Sequence, residues 1–228
     1  TPNLVIVNDG SAVGAWDRFS MTPRWMHSLL GDGGEGDARA SRLRRGAARP
    51  DAPTTVTVSG DAAFAVGGFN EFRRTSTDRI VHAFEIETGR RLWSTDPADL
   101  DRAFEGASPS GPIALESGVA VVLMRRALRA QRLTSVGLLG LDRDSGEPRW
   151  STPLGSVGAL PYRQQNGPIR GLTTSGGMAY VCDDIGFVAS VHAATGEVAW
   201  LRMLSGATRA RGARGGDLPG VRRPVIAG

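Results

Sequence analysis

The sequence has no lysine, one cysteine and three histidines among its 228 residues. With Cys182 as the only thiol, an internal disulfide and a multi-cysteine metal site are both excluded. His27, His82 and His192 are far apart along the chain, and no two of them have the spacing of a metal-binding motif. No apolar run reaches the roughly 18 residues of a membrane-spanning helix, so we expect no transmembrane segment.

The positive charge comes from arginine alone. All 27 basic residues are Arg against 23 acidic ones, which gives a net charge of +4 and a pI of about 10.4. A basic pI often indicates nucleic-acid binding, but here it partly reflects the high pKa of arginine itself. Arginine in place of every lysine, with abundant Ala and Gly, is typical of a GC-rich genome. Aromatic residues are not interleaved with the arginines, so we expect no nucleic-acid partner.

Signatures of known catalytic sites are also missing. The sequence contains no G-x-S-x-G motif and no P-loop. Asp183 and Asp184 could bind a cation, but we interpret them as a solvated hairpin turn. We therefore assign no catalytic, cofactor-binding or metal-binding residue and favour a protein that is not an enzyme.

What the sequence does contain is an internal repeat, which four of its five tryptophans close. The clear copies are AFEIETGRRLW ending at Trp93, GLDRDSGEPRW ending at Trp150 and SVHAATGEVAW ending at Trp200. A degraded copy, AWDRFSMTPRW, ends at Trp25. A small residue stands ten positions before every one of these tryptophans, and a hydroxyl residue stands five before it.

Each conserved place in the repeat has a local physical reason. Gly89, Gly146 and Gly196 can adopt the positive φ of a tight turn, and the hydroxyl beside each can bond to nearby backbone. The acid eight positions before the tryptophan is placed to accept turn amides, and it is present as Asp17, Glu85 and Asp142. The repeat therefore predicts a hairpin whose tryptophan packs between repeated units through a large flat surface and one N–H donor.

A second pair of short strands precedes each hairpin, so each unit is predicted to contain four antiparallel strands. The tryptophans recur at intervals of 68, 57 and 50 residues, which sets a unit of about 50 residues with loop insertions. Four-stranded units of this length with one aromatic and glycine signature indicate an all-β fold of the β-propeller class, with about four blades present.

The predicted blades divide the chain into six segments. These are blade 1 without its first strand (1–30), a Gly- and Arg-rich insertion (31–53), blade 2 (54–96), blade 3 (97–153), blade 4 (154–205), and a linker with the first strand of a further or closing blade (206–228). We expect the four blades to belong to a seven- or eight-bladed ring. In the alternative, the C-terminal strand completes blade 1 and closes a four-bladed ring.

The pattern A-x-D-x-x-T-G-x-x-x-W resembles the tryptophan-docking motif of the pyrroloquinoline-quinone (PQQ)-like propeller repeat. That repeat occurs in quinoprotein alcohol dehydrogenases, in the outer-membrane assembly lipoprotein of the BAM complex and in many exported bacterial proteins. The resemblance covers nearly the whole chain and implies docking roles for Trp25, Trp93, Trp150 and Trp200. It is specific for fold and weak for function, because the fold hosts enzymes and inert scaffolds alike.

The dehydrogenases of this family hold PQQ over the central channel with a calcium ion, an Asp base, a stacking Trp and, often, adjacent cysteines. Adjacent cysteines are impossible here, and Trp16, which lies outside the docking positions, occupies a strand position. We therefore expect neither PQQ nor calcium and transfer no catalytic residue.

The arginine clusters are the remaining candidates for binding. Arg125, Arg126, Arg129 and Arg132 would form one charged face if their insertion were helical. Further arginines lie in the loops, at Arg42, Arg44, Arg45, Arg49, Arg209, Arg211 and Arg214. We interpret these segments first as solvated loops, and as a possible surface for an acidic partner, an anionic polysaccharide or lipid headgroups.

The leading hypothesis is a non-catalytic scaffold that binds protein partners after export, in the periplasm, at the cell envelope or outside the cell. One alternative is part of the propeller of a PQQ-dependent alcohol dehydrogenase whose catalytic residues lie in other blades. A further alternative is a sensor domain fused to a kinase or another enzyme.

Overall fold

The computed structural model describes residues 3–8, 12–29, 56–66, 80–97, 100, 104–105, 107–131, 133–158, 171–183 and 186–203. Within them the chain forms strands almost exclusively, as the turn-rich sequence predicts. The strands are β1 (Leu4–Asn8), β2 (Ala12–Asp17), β3 (Pro23–Ser28), β4 (Val56–Ser59), β5 (Ala62–Val66), β6 (Val81–Glu85), β7 (Arg91–Thr95), β8 (Ser108–Glu116), β9 (Val119–Leu128), β10 (Leu133–Asp142), β11 (Pro148–Gly158), β12 (Gly171–Ser175), β13 (Met178–Asp183), β14 (Phe187–His192) and β15 (Val198–Met203).

The strands form four antiparallel sheets, each in sequence order. Blade 1 contains β1-β2-β3, blade 2 contains β4 to β7, blade 3 contains β8 to β11, and blade 4 contains β12 to β15. The prediction of an all-β protein built from four-stranded antiparallel blades is confirmed. Blade 1 has three strands in the described part of the chain, and β1 is the edge of its sheet.

A hydrophobic core lies between each pair of successive blades. We call the sheet face toward the next blade the downstream face, and the face toward the preceding blade the upstream face. Val13 and Ala15 of blade 1 pack on Phe84 of blade 2. Larger clusters join blade 2 to blade 3 and blade 3 to blade 4. Because side chains alternate between the two faces of a strand, the inner blades bury apolar residues on both faces.

The same β-bulge recurs in all four blades, directly after the small residue of the repeat. The register shifts at Ala15/Trp16, Ala83/Phe84, Gly140/Leu141 and Ser190/Val191. The small residue itself pairs with the tryptophan of its own blade across the last two strands. A bulge bends and twists the strand locally. It therefore ends the regular ladder at the turn and leaves the tryptophan on the downstream face.

The insertion of blade 3 lengthens a hairpin and does not form the helix on which the charged face of arginines depends. Arg125 and Arg126 are consecutive residues of β9, so their side chains point to opposite faces of the sheet. Arg129 begins a short 3₁₀ turn, Arg129–Gln131. Arg132 lies outside the described residues, as do the predicted insertion at 31–53 and the predicted linker at 206–228 with their arginines. The condition for a single charged face, a helical insertion, is therefore not met.

Among the residues that the structure describes, no helix is both long and apolar enough to cross a membrane.

Candidate functional site

Three of the four repeat tryptophans reach onto the next blade. In each case the indole N–H donates to the backbone carbonyl that follows the acid position of that blade. The bonds run from Trp25 Nε1 to Ile86 O at 2.8 Å, from Trp93 Nε1 to Arg143 O at 2.9 Å and from Trp150 Nε1 to Ala193 O at 2.9 Å. One repeat thus supplies the donor and the following repeat supplies the acceptor.

The glycine of each following repeat lies directly beneath the tryptophan ring. A Cβ atom at Gly146 would stand 2.5 Å from Trp93 Cδ2, and one at Gly196 would stand 2.6 Å from Trp150 Cδ2. A Cβ atom at Gly89 would overlap the Trp25 ring in the same way. These glycines also have φ values of 73°, 74° and 76°, which side chains rarely adopt. Glycine is therefore required at this place for two reasons: the turn needs a positive φ, and the tryptophan ring occupies the space of a Cβ atom.

The small residue ten positions before each tryptophan has a similar explanation. Gly140 pairs with Trp150 across β10 and β11, and a Cβ atom at Gly140 would overlap the indole ring. Ala83 pairs with Trp93 in the same way, and it is fully buried. The ring is thus held flat between a small residue of its own blade and a glycine of the next blade.

A contact that was not predicted is made two residues after Trp25, Trp93 and Trp150. Thr95 Oγ1 donates to Gly146 O at 2.9 Å, and Thr152 Oγ1 donates to Gly196 O at 2.6 Å. In blade 1 this place is taken by His27, whose Nε2 lies 2.6 Å from Gly89 O. The recurrence of threonine at the same offset from two tryptophans was the signal that could have found it.

Two of the three acids accept the turn amides predicted for them. Asp142 Oδ1 accepts from the backbone N–H of Asp144 at 2.9 Å and of Ser145 at 2.8 Å. The bond from Ser145 is the main cause that lowers the pKa of Asp142 to about 2, with Arg149 contributing. Asp17 accepts from the backbone of Phe19 and Ser20, and these bonds lower its pKa as well.

The other two turns are closed differently. Glu85 accepts a 2.5 Å bond from the Thr88 hydroxyl and a 3.3 Å bond from Arg90, and these bonds lower its pKa. Its longer side chain carries the carboxylate past the turn amides, so the prediction of amide capping is wrong for Glu85. His192 holds the acid place in blade 4, but its side chain makes no hydrogen bond within the described part of the chain. That turn keeps the hydroxyl bond found in all four blades, in which Thr195 Oγ1 accepts from Glu197 N at 3.3 Å.

Trp200 differs from the other repeat tryptophans in exposure. Its side chain is 39% exposed, whereas Trp25 and Trp93 are 9% and 8% exposed. No blade follows Trp200 among the described residues. Trp16 lies on the opposite face of blade 1 from Trp25, where its ring stands over Gly14. It is therefore placed on the upstream face.

A cleft of about 230 Å³ lies between blades 2 and 3, and Arg143 forms one wall. Arg143 Nη2 donates to Ser59 O at 3.1 Å and to Asp61 Oδ1 at 3.0 Å, both in blade 2. On the other wall, Glu116 accepts from the backbone of Gly177 in blade 4. The charged groups of the cleft are therefore engaged in joining blades. In the described parts of the chain, no group of three or more His, Cys, Asp or Glu could hold a metal ion.

Comparisons with known proteins find relatives with the same architecture. A family profile described as outer membrane protein assembly factor BamB matches residues 2–159 and again residues 79–228. The structure resembles BamB from Moraxella catarrhalis at 16% identity and a TM-score of 0.48, over 90% of this chain and 51% of that one. No curated protein matches the chain.

Two dehydrogenases share the fold. Quinohemoprotein alcohol dehydrogenase ADHIIG from Pseudomonas putida HK5 aligns at 15% identity and a TM-score of 0.56, over 88% of this chain and 32% of that one. A europium-containing methanol dehydrogenase aligns at 11% identity and a TM-score of 0.55, over 88% and 39%. The chain spans about half or less of the length of these solved structures.

Proposed function

Because the chain belongs to the family of the outer membrane protein assembly factor BamB, we propose that it is a non-catalytic scaffold that binds protein partners at the bacterial cell envelope. The observation that carries the proposal is the use of the repeat residues. The indole N–H groups, the threonine hydroxyls and the glycine carbonyls join one blade to the next. The polar groups that recur in the repeat therefore serve to join blades, as expected of a structural scaffold.

Exposed apolar side chains on blade 1 support partner binding. Phe19 and Met21, both in the turn between β2 and β3, are 72% and 65% exposed, and the Arg18 guanidinium lies 4.6 Å above the Phe19 ring. Large apolar side chains grouped at a surface are typical of protein–protein contacts, in which aromatic residues, Met and Arg are enriched. The turn between β2 and β3 is therefore the first place to look for a partner.

The proposal is tested by photo-crosslinking in cells with the full-length protein. A crosslinking amino acid at Phe19 is expected to capture an envelope protein. The same amino acid at Val58, an exposed apolar position in blade 2, is the matched control and is expected to capture less. If Phe19 and Val58 give the same products, or if the full-length protein fractionates with the cytosol, the proposal is overturned.

The second candidate is part of the propeller of a PQQ-dependent dehydrogenase. It is favoured by the shared fold of the two dehydrogenases and by the small share of their length that this chain spans. The described residues do not fit the calcium ion of that family, because no suitable group of carboxylates converges, and Trp16 is engaged over Gly14. Adding PQQ and calcium to the full-length protein and measuring dye-linked alcohol oxidation decides between the candidates. Turnover would support the dehydrogenase and contradict the scaffold.

A further inference from the structure

The first hairpin turn of blade 3 differs in sequence from the equivalent turns of blades 2 and 4. The last strand residue and the first turn residue are Ser59 and Gly60 in blade 2, Glu116 and Ser117 in blade 3, and Ser175 and Gly176 in blade 4. In each blade, the second turn residue accepts a backbone hydrogen bond from the residue that follows the acid place of the same blade. The three turns are therefore equivalent in structure, and the turn itself does not need the two changes in blade 3.

Ser117 is held in a conformation that suits glycine. Its φ is 52°, close to the 62° of Gly60 and the 60° of Gly176. Residues with a side chain rarely adopt this left-handed region, and those that do cluster at binding and catalytic sites. Glycine forms the same turn without strain in the neighbouring blades, so the side chain of Ser117 indicates a role besides the turn.

Glu116 and Ser117 meet a third departure from the repeat, Arg143, in one cleft. All three residues line the cleft of about 230 Å³ between blades 2 and 3. The place of Arg143 holds Ile86 in blade 2 and Ala193 in blade 4. Residues that build a repeat recur in its copies, whereas departures from the local pattern are expected at functional sites. The convergence of three departures at one cleft therefore points to a ligand.

The charges around the cleft favour a cationic ligand. Arg143 already has two carboxylates beside it, since Nη2 lies 3.0 Å from Asp61 Oδ1 and Nη1 lies 3.3 Å from Asp144 Oδ1. Glu116 is half-buried and has no cation beside it within the described part of the chain. Its Oε1 accepts from the backbone N–H of Gly177 at 3.1 Å, and its Oε2 makes no hydrogen bond to a described residue. The cleft thus holds one carboxylate that lacks a counter-ion.

We propose that this cleft binds a lysine side chain of a protein partner, with Glu116 as its counter-ion and the Ser117 hydroxyl as a second acceptor. The identity of the ligand rests on the proposed scaffold function. A guanidinium pairs best with both oxygens of a carboxylate, but Gly177 already occupies Oε1. A lysine ammonium is a point charge that needs only Oε2. Leu115, which also lines the cleft, packs against the methylene stem.

The cleft is tested with the purified full-length protein and Nα-acetyl-lysine methylamide as the probe. In an NMR titration, the amide signals of Ser117 and Gly177 are expected to shift with this probe. They should not shift with Nα-acetyl-norleucine methylamide, which has the stem without the charge. Glu116→Gln should weaken the lysine probe at least about fivefold, whereas Glu147→Gln, an exposed acid of the same blade, should leave its affinity unchanged. Equal binding of the two probes, or unchanged affinity in Glu116→Gln, overturns the inference.

Two further variants keep the test decisive if Glu116→Gln disturbs the turn. Glu116→Ser and Ser117→Gly introduce the residues that blades 2 and 4 use at these places. Both are therefore expected to unfold at no lower urea concentration than the unchanged chain. Glu116→Ser should abolish the shifts of the lysine probe, and Ser117→Gly should weaken its binding about twofold. Lysine binding that survives Glu116→Ser in the folded chain contradicts the proposal.

The partner's lysine is tested by zero-length crosslinking with a carbodiimide in cells that produce the full-length protein. The chain described by this sequence has no lysine, so an amide between Glu116 and a lysine joins it to another polypeptide. Half-buried Glu116 is expected to give more of this product than exposed Glu87 and Glu147, and Glu116→Gln should remove it.

The crosslinks distinguish failure of this inference from failure of the proposed function. If a crosslinker at Phe19 captures a partner while Glu116 gives no amide with a lysine, the inference is wrong and the scaffold function stands. If neither Phe19 nor Glu116 captures a protein, the scaffold function fails and takes the protein ligand with it. Binding of the lysine probe in that case supports the cleft as an ammonium site.

Discussion

One glycine in each of the three clear repeats meets two structural requirements that can be separated by experiment. Gly146 has a φ of 74° and lies under Trp93, whereas Gly118 has a φ of 72° and only the Arg149 side chain at 4.0 Å. Both positions strain any other residue to the same degree. They differ in whether a ring occupies the space of the Cβ atom.

Gly146→Ala is therefore expected to cost more than Gly118→Ala. The positive φ costs an alanine about 1–2 kcal/mol at either site. At Gly146 the displaced Trp93 ring adds about 1–3 kcal/mol, as overpacking does. Urea unfolding of both variants measures the difference. Equal losses would show that the ring moves aside freely and that the interface is loosely packed.

Asp142 is a second residue whose contribution to the stability of the fold can be measured separately. Backbone bonds from its turn, led by that from Ser145, lower its pKa from 3.8 to about 2. A folded pKa below the unfolded one stabilises the fold above the unfolded pKa, and this contribution is lost as the pH falls toward the folded pKa. The stability gap between the unchanged chain and Asp142→Asn is thus expected to be constant above about pH 4 and to shrink toward pH 2.

Urea unfolding at several pH values measures this gap. Asp144→Asn is the control, because its carboxylate is 84% exposed in the same turn and exposed ion pairs contribute little. A gap for Asp142→Asn that does not change between pH 4 and pH 2 would contradict the role assigned to its charge.

At the scale of the element, each β-hairpin completes the interface of its neighbour. The tryptophan, the threonine two residues later and the opposing turn form one unit that spans two blades. The last strands of blades 1 to 3 are therefore stabilised by the blade that follows as well as by their own sheets. At β15 the tryptophan of the repeat, Trp200, is 39% exposed.

Trp93→Phe and Trp200→Phe test this view of the last strand. Trp93→Phe removes the donor to Arg143 O and leaves a partly buried carbonyl unpaired, which costs about 1–3 kcal/mol. Trp200→Phe removes no bond within the described residues and should cost less than about 0.5 kcal/mol. Thermal or urea unfolding gives both values. A large loss for Trp200→Phe would indicate that another part of the chain covers it.

At the scale of the whole molecule, the blades contact their neighbours in the chain through three separate cores. The stability of such an array is approximately the sum of its units and of the interfaces between neighbours. Within this 228-residue chain, a weakened interface between blades 2 and 3 should therefore divide the array, whereas a weakened interface between blades 1 and 2 should release only blade 1.

Trp93→Ala is expected to split the thermal transition in calorimetry into two of comparable enthalpy, from blades 1–2 and blades 3–4. Trp25→Ala should instead give a small early transition, because only blade 1 is released. The loss of Trp93 removes a large buried side chain and costs about 3–5 kcal/mol. A single sharp transition at lower temperature for both variants would show that the four blades unfold as one unit.

The sequence alone determined the blade and its strands. Turn glycines, hydroxyls and alternating apolar residues are local signals, and strands such as β5 and β13 lie where these signals indicate. The recurring spacing of the tryptophans also identified the repeat. For the arginine insertion the local sequence left a helix open, since the spacing of Arg125 and Arg129 also suits one, and the pairing of β10 with β9 shows that the segment lengthens a hairpin.

Only the tertiary structure decided how the blades meet. The hydrogen-bond acceptor of Trp93 lies 50 residues away at Arg143. Nothing in the local sequence around either residue identifies the other as its partner. The same holds for Thr95 on Gly146 and for the Trp150 ring over Gly196, since both depend on the space between two blades. Side-chain contacts between distant segments follow from packing, and packing becomes visible only once the blades lie side by side.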